Sequence, residues 1–150
     1  MCTLATNTYV KCEFLKQFQK ISFTASEKGN LEMTQLFMDK LLDKNPKGGR
    51  FGGTPLHFAA DEGHINVMNC ILDVVEDKNP SDNNGLTPLH SLIKHGYSDT
   101  FKLIHETCEE KNPSDRCGES LLHVAASSGE FDIFRMIIDQ GIKDLNFLRF

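Results

Sequence analysis

Three histidines recur at one spacing: His57, His90 and His123 each stand 33 residues from the next. Imidazoles ligate zinc and move protons near neutral pH, so this series is the first place to look for chemistry. Distance decides against a shared metal. Residues repeating at this period sit on stacked units about a helix diameter apart, roughly 8–10 Å, whereas the ligands of one zinc each lie about 2.0–2.3 Å from it. The expectation is a histidine that bonds the backbone of its own loop in each unit. Phe23, the counterpart 34 residues before His57, fits a packing role. His105 is different, because its column otherwise holds Leu72 and Ile138. It reads as a solvent-reaching ring at a helix edge, with a sharper alternative: a local weak point that protonation loosens.

The remaining reactive side chains do not assemble into a catalytic pattern. Five cysteines (Cys2, Cys12, Cys70, Cys108 and Cys117) are odd in number and show no paired spacing, which points to a reduced intracellular compartment. Asn79-Pro80-Ser81 and Asn112-Pro113-Ser114 carry Pro where a glycosylation acceptor excludes it. Cys117 stands in a polar turn with no evident neighbouring base to make it a thiolate. Asp61-Glu62 and Glu109-Glu110 read as solvated surface runs. Gly48-Gly49 and Gly52-Gly53 flank a loop rather than a strand-to-helix junction, so they make no phosphate cradle. No Ser-His-Asp or Cys-His arrangement is legible. The reading is a chain with no catalytic residues, no cofactor and no metal.

The elements that carry these residues repeat with them. Thr54-Pro-Leu-His-Phe-Ala-Ala-Asp-Glu-Gly-His64 returns as Thr87-Pro-Leu-His-Ser-Leu-Ile-Lys-His-Gly-Tyr97 and as Ser120-Leu-Leu-His-Val-Ala-Ala-Ser-Ser-Gly-Glu130. Thr or Ser supplies a helix N-cap, and Pro55 and Pro88 suit the first helical position, where a missing N–H costs nothing. Ala59-Ala60 and Ala125-Ala126 permit close helix approach; Leu92-Ile93 in their place predicts overpacking or a local shift. Gly63, Gly96 and Gly129 end this first helix. A second helix follows, with apolar columns Val67/Ile133, Met68/Phe101/Phe134, Cys70/Leu103/Met136 and Ile71/Ile104/Ile137 as its buried stripe. Lys-Asn-Pro at 44–46, 78–80 and 111–113 stops that helix, because Pro disfavours helix at the residue before it. A polar turn with Gly comes next, Asp82-Asn83-Asn84-Gly85 and Asp115-Arg116-Cys117-Gly118.

Helix, turn, helix and β-turn finger at this period resemble the ankyrin repeat, with the signature nearly complete from Thr54 to His64. The resemblance covers about residues 20–146 and implies an all-α solenoid of four helix-turn-helix repeats with β-turn fingers, at about 20–46, 47–80, 81–113 and 114–146, in a single domain. The first repeat is degenerate: Gly29 aligns with Gly63, and Met33, Leu36 and Phe37 fall in buried columns. Its finger, Lys47-Gly48-Gly49-Arg50-Phe51-Gly52-Gly53, is one residue longer than the others. Val10, Phe14, Phe18, Ile21 and Ala25 lie on one helical face, so residues 10–28 read as a lengthened first helix that caps the array. The tail 147–150 either folds back as a cap or marks a cut from a longer array.

Ankyrin domains bind other proteins through finger tips and the concave first-helix surface. Carried over by position, that implies Arg50, Phe51, Gly53, Asp61 and Glu62 in the second repeat. The third gives Asn83, Asn84, Leu86, Lys94 and His95. The fourth gives Arg116, Cys117, Glu119, Ser127 and Ser128, and the first only Glu27 and Lys28. Phe51 is the sharpest of these, an aromatic in a glycine-rich finger, and Arg50 beside it can pair with an acidic partner. The resemblance thus implies a non-catalytic protein-protein interaction module, a scaffold or an inhibitor. The compact length resembles stand-alone ankyrin inhibitors, such as the NF-κB-inhibitor-like proteins and the ankyrin inhibitors of cyclin-dependent kinases. An alternative is an ankyrin segment of a larger channel, enzyme or scaffold. A small-molecule site between fingers lacks the clustered Arg/Lys and aromatics it would need.

Bulk numbers fit a binding module. Net charge is −5, with 39% hydrophobic and 25% charged residues. Residues 1–50 hold eight Lys/Arg against five Asp/Glu, a balance of +3, while residues 51–150 hold eight against sixteen, a balance of −8. An acidic chain repels phosphate backbones, so no nucleic-acid partner is expected. No apolar run reaches the roughly 18–20 residues of a membrane span, and the first ten residues lack the basic and apolar regions of a secretory signal. The expectation is a cytoplasmic or nuclear monomer that binds another protein.

Overall fold

The computed structural model describes the backbone of residues 3–146 and the side chains of residues 13–141. Among the described residues eight helices follow one another: α1 (Thr3–Glu27), α2 (Leu31–Lys40), α3 (Pro55–Asp61), α4 (Ile65–Leu72), α5 (Pro88–Lys94), α6 (Ser98–Thr107), α7 (Leu121–Ser128) and α8 (Phe131–Asn146). The only β pairings among the described residues are two isolated antiparallel bridges, Gly48 with Gly53 and Ser114 with Ser120, each closing a finger. The fold is therefore all-α, built from helix-turn-helix repeats with β-turn fingers.

The chain divides into two compact units between Val75 and Glu76. In the first, α1 packs on α2 and α3, and α4 packs on α2 and α3. The second repeats the scheme: α5 packs on α6 and α7, and α8 packs on α7 and, more lightly, on α6. First helices thus stack on first helices and second on second within each unit. Leu56 and Leu89, the third residue of the signature, are fully buried, as is Leu121, which stands in the place of Pro55 and Pro88; each stabilises its repeat by about 1.5–3 kcal/mol.

The first helices end on glycine as the sequence predicts. Gly29, Gly63, Gly96 and Gly129 take φ between +69° and +75°, a left-handed turn that only glycine adopts without strain. Leu92 and Ile93 are both fully buried, and α5 keeps the same seven-residue length as α3, so the bulkier pair is accommodated inside the repeat.

Four expectations about burial are corrected. Met33 and Leu36 are exposed, and the inner face of α2 is made by Thr34, Phe37 and Met38. On α1, Ala25 is buried and Phe18 half-buried, but Phe14 and Ile21 face water; the side chain of Val10 lies outside the described residues. Leu103 is 57% exposed and Cys70 and Met136 of the same column are only half-buried, so that column lies at the edge of the stripe; α6 turns inward the side of Thr100, Phe101, Ile104 and His105. Ala126 is exposed, unlike Ala60. The helix expected over 10–28 starts earlier, at Thr3. The residues of the tail 147–150 lie outside those described.

Candidate functional site: fingers and first-helix ends

The recurring histidines bond the end of their own fingers. Thr54, Thr87 and Ser120 each donate their backbone N–H to the Nδ1 of His57, His90 and His123, at 3.1, 3.2 and 3.2 Å. The cap hydroxyl lies 3.0, 2.9 and 2.9 Å from the same nitrogen. An accepting Nδ1 leaves the ring proton on Nε2. The ring thus closes a reciprocal cap at the start of α3, α5 and α7, as glutamate does in other helices. Burial, the largest influence, lowers the pKa of His90, against the backbone of Glu119 and the charges of Asp115, Asp82 and Glu119. These imidazoles are structural. Among the described residues no group of three His, Cys, Asp or Glu is placed to hold a metal ion.

Two chemistries shape the fingers. In residues 47–53, Gly48 N–H donates to Gly53 carbonyl at 2.8 Å and closes the hairpin. Glycine is required there by contact: a Cβ on Gly48 would come within 2.1 Å of the Phe23 ring, and one on Gly49 within 2.9 Å of Phe58. Phe23 and Phe58 themselves meet at 5.3 Å between ring centres. The finger lies flat on two aromatics and leaves Arg50 and Phe51 at its tip. Phe51 is 52% exposed, with the Arg50 guanidinium 5.3 Å above its ring centre.

In the second unit an aspartate replaces the glycine contacts. Asp82 Oδ1 accepts from Asn84 N–H (2.7 Å) and Leu86 N–H (2.9 Å), and Asp115 Oδ1 accepts from Cys117 and Glu119 N–H (both 2.8 Å). The Arg116 N–H donates to the Asn84 carbonyl at 2.8 Å and joins the two fingers edge to edge. Asn83, Asn84, Leu86, Arg116, Cys117 and Glu119 all project from this pair of turns into solvent.

The first-helix ends complete the surface of each unit. Asp61 and Glu62 close α3, Lys94 and His95 close α5, and Ser127 and Ser128 close α7; all six are exposed. Every residue expected to touch a partner is thus on the surface, with two qualifications. Gly53 is buried, because it forms the base of its hairpin. Glu27 is half-buried and lies 3.6 Å from Lys28.

Sequence reasoning missed the work of the Lys-Asn-Pro segments, which do more than stop a helix. Asn79 Oδ1 accepts from Leu89 N–H at 3.2 Å, and Asn112 Oδ1 from Leu122 N–H at 3.1 Å, so each asparagine caps the next first helix ten residues on. Lys111 Nζ donates back to the carbonyls of His105 and Glu106, and Lys44 Nζ to that of Met38, satisfying the end of the preceding second helix. The recurrence of Lys and Asn with the Pro was the available signal. His105 is also corrected: it is fully buried, not solvent-reaching.

Neither partly buried thiol is primed for nucleophilic chemistry. Burial raises the pKa of Cys70, helped by Asp73 and Asp39; burial raises that of Cys108 too, with Lys111 opposing and Asp77 adding to it. Beside Cys108 lies an open groove of about 600 Å³ with Glu76, Asp77, Glu109 and Glu110 on its walls. A shallower hollow of about 210 Å³ is lined by Ala125, Ala126, Gly129, Phe131 and Phe134. No described helix is long and apolar enough to cross a membrane.

The family model for ankyrin repeats, in a form holding three copies, matches residues 21–115 and again 68–147. This chain belongs to the ankyrin-repeat family. No curated protein sequence matches it significantly. Ankyrin repeats are generally protein-protein interaction modules and are typically non-catalytic.

Proposed function

We propose that this chain is a non-catalytic binding module that engages another protein through its finger tips and first-helix ends, as a scaffold or as an inhibitor that occupies its partner's surface. The carrying observation is Phe51. A half-exposed aromatic stands on a hairpin whose base is closed by a backbone pair and whose underside is seated on Phe23 and Phe58. An anchor held on a preformed support loses little conformational freedom when it is covered. Arg50 over its ring supplies a charge-assisted donor at the rim. Leu86, 38% exposed, offers a lesser apolar contact on the fingers of the second unit. The polar residues around these two set association rate and register more than affinity. The module works as a monomer in the cytoplasm or nucleus, with neither nucleic acid nor membrane as its ligand.

The test is co-precipitation from lysate of the source cells with four baits: wild type, Phe51→Ala, Leu86→Ala and Leu103→Ser. The last alters an exposed side chain on the second-helix surface. Loss of a partner with Phe51→Ala, with weaker loss for Leu86→Ala and retention by Leu103→Ser, supports the reading. Retention by both finger variants and loss with Leu103→Ser overturns it. A second reading, a segment of a longer ankyrin protein, is favoured by the apolar side chains that both end repeats present to water. Phe14 and Leu36 are exposed in the first, and Phe131, 70% exposed, in the last.

A further inference from the structure

The third repeat buries a titratable ring in a column where the second buries Leu72. His105 is 0% exposed and stacks on Phe101, with ring centres 4.9 Å apart and planes 19° from parallel. Its Nε2 lies 2.7 Å from the Lys111 carbonyl, so Nε2 carries the proton and donates. Nδ1 is left as an acceptor, buried and with no hydrogen-bond partner. Lys111 answers with its ammonium group on the carbonyls of His105 (2.8 Å) and Glu106 (3.2 Å). These reciprocal bonds fold the segment 108–113 over the end of α6. The same segment holds the next repeat: Asn112 Oδ1 and the Pro113 carbonyl accept the Leu122 and Leu121 N–H groups, and Ser114 bridges Ser120 across the base of the finger. A short run of contacts therefore joins the His105 ring to the turn that carries Arg116, Cys117 and Glu119.

We infer that His105 is a proton-operated latch: uptake of a second proton by its ring opens the segment 108–113 and frees the fourth-repeat finger, Ser114 to Ser120. A protonated Nδ1 becomes a donor facing no acceptor, and a buried donor left unmet costs a large part of its desolvation energy. The new charge also lies beside the Lys111 ammonium, which the closed latch holds in place. Among the described residues the charges acting on the ring are those of Lys111, which disfavours protonation, and Glu106, which favours it; none on α5 or α8, the helices packed against α6, is among them. Burial is the largest influence and lowers the pKa of His105 from the usual 6.5, with the Lys111 carbonyl opposing. A lowered folded pKa means the unfolded chain takes the proton first. The latch is thus fully stable above pH 6.5 and weakens as pH falls from there through the lower folded value.

The experiment is amide hydrogen exchange read by mass spectrometry from pH 7.5 to 5.0, with protection corrected for intrinsic rates. In wild type, peptides spanning 108–120 should lose at least tenfold in protection, while the finger 47–53 changes less than threefold. His105→Gln keeps a neutral donor near the Nε2 position and never charges; its protection over 108–120 should change less than threefold. His90→Gln, which removes the other histidine whose pKa burial lowers in this unit, should leave the tenfold loss in place. The proposal is overturned if wild-type protection is unchanged at pH 5.0, or if His105→Gln retains the loss. It is equally overturned if His90→Gln alone abolishes the loss. Should His105→Gln fail to fold, NMR titration of the wild-type ring decides: a His105 midpoint at or above 6.5, or one that does not coincide with the loss of protection, excludes the latch.

Discussion

The finger of the first unit and the two fingers of the second reach the same turn by different physics. Residues 47–53 use glycine and contact: without side chains in the way, the hairpin settles on Phe23 and Phe58. The fingers at 82–86 and 115–119 use one carboxylate each, which gathers two backbone N–H groups per turn. The first arrangement depends on shape and is indifferent to salt and pH. The second depends on an ionised aspartate and tolerates sequence change around it. A repeat family can therefore keep its outline while exchanging what holds it, and the exchange changes which residues can be mutated freely.

The comparison breaks most visibly at Gly48. Gly48→Ala forces a methyl into the Phe23 ring and should destabilise the first unit by about 1–3 kcal/mol, read by urea unfolding. An unchanged midpoint would mean that the finger does not rest on Phe23. Next is Asp115→Ala, which leaves the Cys117 and Glu119 N–H groups to water and should cost about 1 kcal/mol, with faster exchange confined to 114–120. If the finger at 47–53 also loosens, the two chemistries are not separate. Gly141→Ala tests glycine where little crowds it: among the described residues no atom outside its own stretch of helix lies within 4 Å of its Cβ position in α8, so the change should stabilise by up to about 1 kcal/mol, and a loss in thermal scans would contradict that. Smallest is Phe51→Ala, which should shift stability by within about 0.5 kcal/mol because the ring is half in water, as should Ser127→Ala. A larger loss at Phe51 would make it part of the hairpin's support rather than a free anchor.

What the sequence made legible was what repeats. Capping residues, helix-ending glycines and the position of each finger all follow from a period of 33, because stacked units impose the same requirement on each copy. Exposure of the finger tips was legible for the same reason. Periodicity failed where a repeat has a neighbour on one side only or departs from its column. Met33 matches the buried Val67 by alignment yet faces water, and the column of Leu36, Cys70, Leu103 and Met136 holds no buried member, so helical spacing misplaced the edge of the buried stripe. His105 departs from its expected exposure because hydrophilic type does not require access to solvent; a ring that finds a carbonyl 2.7 Å away can be buried as fully as leucine. The capping by Asn79 and Asn112 was hidden because it spans ten residues, beyond any local helix signal.

That reach of the asparagines bears on how such chains can be cut and recombined. The Thr-Pro start is the obvious place to divide one copy from the next, but a piece excised there would leave behind the group that finishes its own first helix. The exchangeable block in the second unit begins instead between the lysine and the asparagine of Lys-Asn-Pro, so that Asn79 travels with Leu89 and Asn112 with Leu122 while Lys111 stays with the α6 carbonyls it binds. Duplication, deletion or laboratory shuffling of this lineage is expected to preserve solubility when the seam falls between that lysine and the asparagine. Libraries joined at the threonine should yield more products that fray at the junction.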